Sequence, residues 1–149
     1  MSRPVYLAAA VQVAAPPERV FALITDWPRH REWMTLTTAR QACPGTIEAY
    51  TGVRPFGFLD TMTITHWQPP ALVRVEHTGR VVRGRGSIRV RPRAGGSRVI
   101  WAEELSLPFG PLGRAVWPIV RLVGAAFARR SLRRLAVLAE RGGGRPSST

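Results

Sequence analysis

His77 and Glu103 are the residues of this chain whose types and placement could do chemistry. His77 lies in an alternating run, Leu72–Thr78, where Val73 and Val75 share its side and Arg74 and Glu76 oppose them. Glu103 lies in a second such run, Ser97–Leu107, on the side of Val99, Trp101, Leu105 and Leu107. Both therefore point toward an apolar interior, where a carboxylate is costly unless it is paired or protonated. A His–Glu pair there could move a proton, or hold a ligand's hydroxyl or carbonyl. The plainer alternative is a structural pair, or a Glu103 that reaches the rim and meets an arginine. If the two groups meet, the carboxylate raises the imidazole pKa while burial lowers it, a balance expected to keep one group titrating near neutrality. Asp60 and His66 join them on a shorter alternation, with Met62 and Ile64, over Leu59–Trp67.

Other chemistry is absent from the sequence. It holds no Cys-x-x-Cys, no HExxH and no G-x-S-x-G. Cys43 is the single cysteine, which excludes an internal disulfide and gives a metal site little basis. No cofactor and no metal are expected. Arg83-Gly84-Arg85-Gly86-Ser87 resembles an RNA-binding Arg-Gly segment or a phosphate loop, but it alternates as a strand and no helix follows.

The elements that must position these residues read in a simple order. Val5–Val13 alternates as a half-buried strand, and Pro16-Pro17 breaks it. Pro17 suits the first position of a helix with Val20, Phe21 and Ile24 on its apolar face, and Pro28–Trp33 suggests a second short helical turn. Strands are then predicted at about Thr35–Gln41, Thr46–Val53, Leu59–Trp67, Leu72–Thr78, Gly84–Arg91 and Ser97–Leu107, joined by short turns that make neighbours antiparallel. Pro111–Arg141 closes the chain as a long amphipathic helix. Its apolar stripe runs through Val116, Val120, Val123, Phe127, Leu135 and Leu138 with Ser131 in the seam. Pro118 predicts a start or a kink there, and Gly142-Gly143-Gly144 a stop. The fold class is α+β: a curved seven-stranded antiparallel sheet around a long C-terminal helix, as one domain over 1–141 with a flexible Gly/Ser-rich tail at 142–149.

The chain of 149 residues carries a net charge of +13, and every one of its 22 basic residues is arginine. Such a charge suits an anionic membrane or a nucleic acid. A coding bias that turns lysine into arginine and enriches glycine and proline explains it as well. No apolar run approaches the ~20 residues of a bilayer span. Gln12 interrupts the apolar start, so a first strand is expected there rather than a signal peptide, and a cytoplasmic location with it.

VQVAAPPERVFALITDWPRHREW at the front, THWQPPALVRVEH, GSRVIWAEEL and the arginine-rich closing helix together resemble the Bet v 1-like, START-related (SRPBCC) superfamily. Within it, the chain is similar to the bacterial polyketide cyclase/dehydrase and lipid transport group. The resemblance implies a helix-grip fold with a cavity between sheet and helix that takes an apolar or amphipathic small molecule. Alternation and the helix stripe nominate Trp33, Met62, Ile64, Val73, Val75, Trp101, Leu105, Val120 and Phe127 as its wall, with His66 near it. The same residues could instead pack as core, Trp33, Trp101 and Phe127 filling the space. Cyclase members of the family imply a pocket arginine working with a tyrosine or tryptophan. Tyr50 or Trp33 could serve, but alternation turns no sheet arginine inward. The reading is a hydrophobic-ligand carrier or sensor. The alternatives are a cyclase/aromatase-type enzyme using Glu103 and His77, and a basic surface module. Contact with an anionic membrane is suggested where Leu107–Leu112 and Val116-Trp117 adjoin Arg114 and Arg121. A pocket lid or a dimer patch fits that segment equally, nucleic acid is not expected, and nothing sets an oligomeric state.

Overall fold

β1 (Val5–Val13) buries alternate residues, with Ala9 and Val13 inside and Tyr6 outside, as a strand with one wet face must. Pro17 then opens α1 (Pro17–Ile24) at a position whose N–H has no helical partner anyway, and Val20, Phe21, Leu23 and Ile24 turn inward. A 3-10 turn at Trp27–Arg29 runs directly into α2 (His30–Trp33). Six strands follow: β2 (Thr37–Cys43), β3 (Thr46–Val53), β4 (Phe56–Gln68), β5 (Leu72–Thr78), β6 (Arg83–Arg93) and β7 (Gly96–Ser106). Short turns join most of them. That between β6 and β7 needs Gly95 at φ 81°, a conformation that side chains rarely adopt. The structure, a computed structural model, describes residues 3–142. The tail expected at 142–149 lies, except for Gly142, outside the described residues.

The sheet is seven-stranded and antiparallel throughout, in the order β1-β7-β6-β5-β4-β3-β2. The two ends of the order are β1 and β2, so α1 and α2 carry the chain from one edge to the other. The closing helix α3 (Gly110–Arg141) completes the α+β helix-grip arrangement expected from the sequence.

α3 begins at Gly110, one residue before the expected Pro111, and runs on through Pro118. Proline can give no N–H to the carbonyl one turn earlier, but this half of the helix is exposed, so water can meet that carbonyl. The buried face agrees with the predicted stripe at Ser131 and Leu135 and departs from it in the first half of the helix. It runs through Ala128, Ser131, Leu132, Leu135, Ala136 and Ala139, whereas Val116, Val120 and Val123 are exposed. Small residues mark the contact because they let the helix approach closely. A Cβ on Gly124 would already stand 3.2 Å from Leu7 of β1. Ser131 Oγ accepts the Thr35 N–H at 3.0 Å, and Glu140 Oε1 accepts that of Ala14 at 3.0 Å. The C-terminal half is thus fixed to β1, α1 and α2. Gly110–Val123, roughly 20 Å of helix before Gly124 meets Leu7, overhangs the sheet. The helix ends at Arg141 as expected, although Gly142 keeps right-handed helical angles.

This assignment of the contact face is checkable by denaturant unfolding. Leu132→Ala or Leu135→Ala should cost about 2–5 kcal/mol, because both side chains are wholly buried. Val123→Ala should stay within about 0.5 kcal/mol. Comparable losses at all three positions would show that the large-residue stripe, not the small-residue seam, holds the helix.

Candidate functional site

The inner face of the sheet carries an ionic chain. Across the strands, Ile64, Val75, Gly86, Glu103 and Leu7 form one cross-strand row, and Met62, His77, Gly84, Leu105 and Val5 the next. His77 on β5 and Glu103 on β7 are therefore two strands apart, too far to meet over an ordinary side chain of β6. Glycine occupies both inner β6 positions. A Cβ on Gly86 would stand 2.8 Å from Glu103 Oε2, so the carboxylate lies in the space that Gly86 leaves.

Through that gap His77 Nε2 and Glu103 Oε2 approach to 2.9 Å, while on its other side His77 Nδ1 lies 2.8 Å from Asp60 Oδ2 of β4. The Trp101 indole N–H donates to Glu103 Oε1 at 2.6 Å. Burial alone would lower the His77 pKa. Its hydrogen bonds to Asp60 and then Glu103, with the charges of both carboxylates, outweigh burial and raise it to about 10. Both ring nitrogens then carry protons and donate, and the group is an imidazolium between two carboxylates. His77 does not titrate near neutrality as the two-group reading expects, because a second carboxylate joins it.

The other nominated residues divide into three sets. Trp33 and Val73 are buried, and Met62, Ile64, Val75, Trp101, Leu105 and Phe127 are half-buried. Trp33, Trp101 and Phe127 form an edge-to-face series, with centroids 6.4 Å and 6.2 Å apart. These rings stand where the expected cavity would lie. A groove of about 760 Å³ opens instead between α1, the 3-10 turn and the β2–β4 side, lined by Trp27, Ile64 and Trp67 among others. Another of about 570 Å³ is lined in part by His66, Arg74, Glu76 and Glu104. Neither includes a residue of α3.

Three nominations are corrected. His66 is exposed on the outer face, because a β-bulge between Ile64 and His66 shifts the register and reverses the alternation. The shift turns Trp67 inward instead, against Phe21 at 5.5 Å. Tyr50 lies on the face opposite to buried Ile47 and Ala49, where the Arg54 guanidinium stacks 4.7 Å over its ring. Val120 is exposed on the overhanging half of α3.

Sequence reasoning underrated Asp60 by tying it to His66. The inward pair Gly84 and Gly86 between two polar-bearing strands was the available signal for a cross-sheet contact. His30 was missed. It is buried against Trp27 and Trp33, its Nε2 lies 2.6 Å from the Ile24 carbonyl, and burial lowers its pKa. Among the described residues no arginine is buried. Nor does any group of three or more His, Cys, Asp or Glu there have a geometry that could hold a metal ion.

The family model described as polyketide cyclase / dehydrase and lipid transport matches residues 5–140. No curated protein matches the chain. Solved structures are similar in fold at low identity. A Thermus thermophilus protein is 15% identical with a TM-score of 0.79, the match covering 94% of this chain and 100% of that one. A Chromobacterium violaceum protein is 17% identical with a TM-score of 0.69, covering 92% and 99%. The di-domain aromatase/cyclase StfQ of the steffimycin biosynthetic pathway is 13% identical with a TM-score of 0.76, covering 96% of this chain and 53% of that one.

The ionic chain makes stability depend on pH with a defined sign. A histidine whose folded pKa is raised stabilises fully below its ordinary value of 6.5, and this contribution is lost as pH rises toward about 10. Unfolding free energy should therefore fall by on the order of a few kcal/mol across that window. His77→Gln should remove most of the slope. Denaturant titrations at stepped pH on both proteins measure it, and parallel profiles would mean that His77 is not held as the cation. His30 acts on the opposite side: its lowered pKa destabilises only as pH falls below 6.5.

Proposed function

We propose that this chain, which belongs to the polyketide cyclase / dehydrase and lipid transport family, binds an amphipathic small molecule as a carrier or sensor. The ligand's apolar part would lie under the overhang of α3, against Val116, Val120, Phe127, Met62 and Leu105. Its hydroxyl would donate to a carboxylate of the ionic chain, and a carbonyl would accept from the Trp33 N–H. The observation that carries this reading is a pair of buried polar atoms without partners, the Trp33 indole N–H and Asp60 Oδ1. One can donate and the other accept, and leaving either unmet costs roughly 1–3 kcal/mol. Apolar residues with a few unsatisfied polar atoms are the make-up of small-molecule sites.

Carriage fits the ionic chain better than catalysis does. An imidazolium that donates both N–H groups to carboxylates has no lone pair to take a proton. Glu103 already accepts from Trp101 and His77, and these two donors stabilise its charged form and weaken it as a base. The cyclase members of the family imply a pocket arginine, and no described arginine is buried.

Two variants test the reading with anilinonaphthalene sulfonate as fluorescent probe and long-chain alcohols and aromatic polyketides as competitors. Val120→Ser should leave stability within about 0.5 kcal/mol and weaken probe binding several-fold. Glu103→Gln should weaken competitors bearing a hydroxyl, which donates to the carboxylate, by at most the ~1.5–3 kcal/mol of a hydrogen bond to a charged group, and leave purely apolar ones unaffected. Turnover of a polyketide by the wild type that Glu103→Gln abolishes, with binding intact, would replace the carrier by the cyclase. Binding unchanged in both variants would remove the ligand from this site.

A further inference from the structure

We infer that the rim from which the sheet passes into α3 is a docking surface for an anionic lipid membrane. Register brings three connections to one end of the sheet. Val53 pairs with Phe56 at the β3–β4 turn, Thr78 pairs with Arg83 across the β5–β6 connection, and Ser106, the last residue of β7, pairs with that same Arg83. The overhanging half of α3 starts at this end, three residues beyond β7.

Each connection presents an apolar tip. Phe56 is 88% exposed and Phe109 78%, and Val81, Leu112 and Ile119 are exposed as well. Single exposed apolar residues are ordinary, but this many at one end call for something that covers them. Each tip is also flanked by arginine: Arg54 beside Phe56, Arg80 and Arg83 around Val81, and Arg114 and Arg121 on α3. None of the chain's nine acidic residues falls within 53–59, 79–83 or 106–123.

The outer sheet face is built differently. There Arg85 stands between Glu76 and Glu104 across the strands, and Arg40 pairs with Glu48. Its arginines are partly neutralised, whereas those of the rim are not. Acidic residues are also lacking over 77–102, where Arg91 stands opposite Arg98 across the strands, so it is the apolar tips among the arginines that set the rim apart.

Apolar tips among uncompensated cations match the interface of an anionic bilayer. The tips enter the acyl boundary, and the guanidinium groups stay at phosphate depth. A second copy of this chain would bring the same five arginines against themselves with no carboxylate between them. A nucleic acid would answer the charge but leave the apolar tips wet. Among the described residues no helix is long and apolar enough to cross a membrane, so the contact is peripheral.

Vesicle sedimentation tests this directly, using phosphatidylcholine with and without phosphatidylglycerol at low and high salt. The wild type should sediment only with phosphatidylglycerol present, and salt should release it. Phe56→Ser/Phe109→Ser should lower the partition coefficient roughly tenfold or more, and Arg114→Gln/Arg121→Gln similarly. Thermal melting of both variants should match the wild type, since all four side chains are exposed. Glu103→Gln should bind vesicles as the wild type does, which keeps this test separate from the ligand site. Failure to bind phosphatidylglycerol vesicles at low salt overturns the inference. So does binding that is indifferent to the two phenylalanines, or salt-sensitive retention on DNA with that same indifference. Self-association in sedimentation velocity that Phe56→Ser/Phe109→Ser abolishes, without vesicle binding, overturns it in favour of a second copy.

Discussion

The close approach of the second half of α3 to β1, α1 and α2 is the constraint on which the rest of the arrangement depends. It is made by residues too small to be conspicuous: Gly124, Ala128, Ser131, Ala136 and Ala139, with Leu132 and Leu135 as the large members. Small side chains bring two backbones together and multiply dispersion contacts along the seam, an arrangement that tolerates little added volume. Ser131 in the middle of the seam and Glu140 at its C-terminal end add hydrogen bonds. Because the helix is held there, Phe127 lands against Trp101, and most of the helix before Gly124 is left exposed. The overhang thus follows from where the seam ends.

That geometry divides the interior into a closed part and an open part. Beneath the seam lies the core, with Val20, Ile24, Val90, Val99, Leu132 and Leu135 at or near zero exposure. Trp33, Trp101 and Phe127 extend it in edge-to-face contact, the arrangement that aromatic quadrupoles prefer. Toward the rim, the same sheet face carries the ionic chain, shielded but not sealed. Glu103 keeps a side-chain exposure of 14%, against 7% for His77. Two carboxylates and an imidazolium can stand there only because each charge has an opposite partner within hydrogen-bond reach.

The ionic chain also shows how a sheet can join residues on non-adjacent strands. A strand between two partners normally blocks them with its own side chains. Glycine at 84 and 86 removes that obstruction, at the usual cost of glycine in a strand interior. Alanine at 86 would press on Glu103 and push it from His77, so the residue with no side chain governs the contact between two that have them. Outside, the same strands alternate Glu76, Arg85 and Glu104, and the two faces solve the charge problem by different means.

Local pattern in the sequence determined the elements and the class of fold. Period-two alternation, Pro17 at a helix start and glycine at the β6–β7 turn act within a few residues, so they survive any tertiary context. The inward parity of His77 and Glu103 was legible for the same reason. Three things were not. The bulge after Ile64 leaves no mark in the composition, yet one extra residue sends His66 out and Trp67 in. The contact face of α3 was legible only at Ser131 and Leu135, because hydrophobicity marks where burial is favourable, whereas the seam is set by how near the backbones can come. Val120 was nominated as if the interior were complete, and only the position of the helix over the sheet decides which of its apolar residues are covered; Tyr50 lies on the other face of β3 from Ile47 and Ala49. Asp60 as the second partner of His77 belongs to the same class, since it depends on the register between strands that the sequence specifies only jointly.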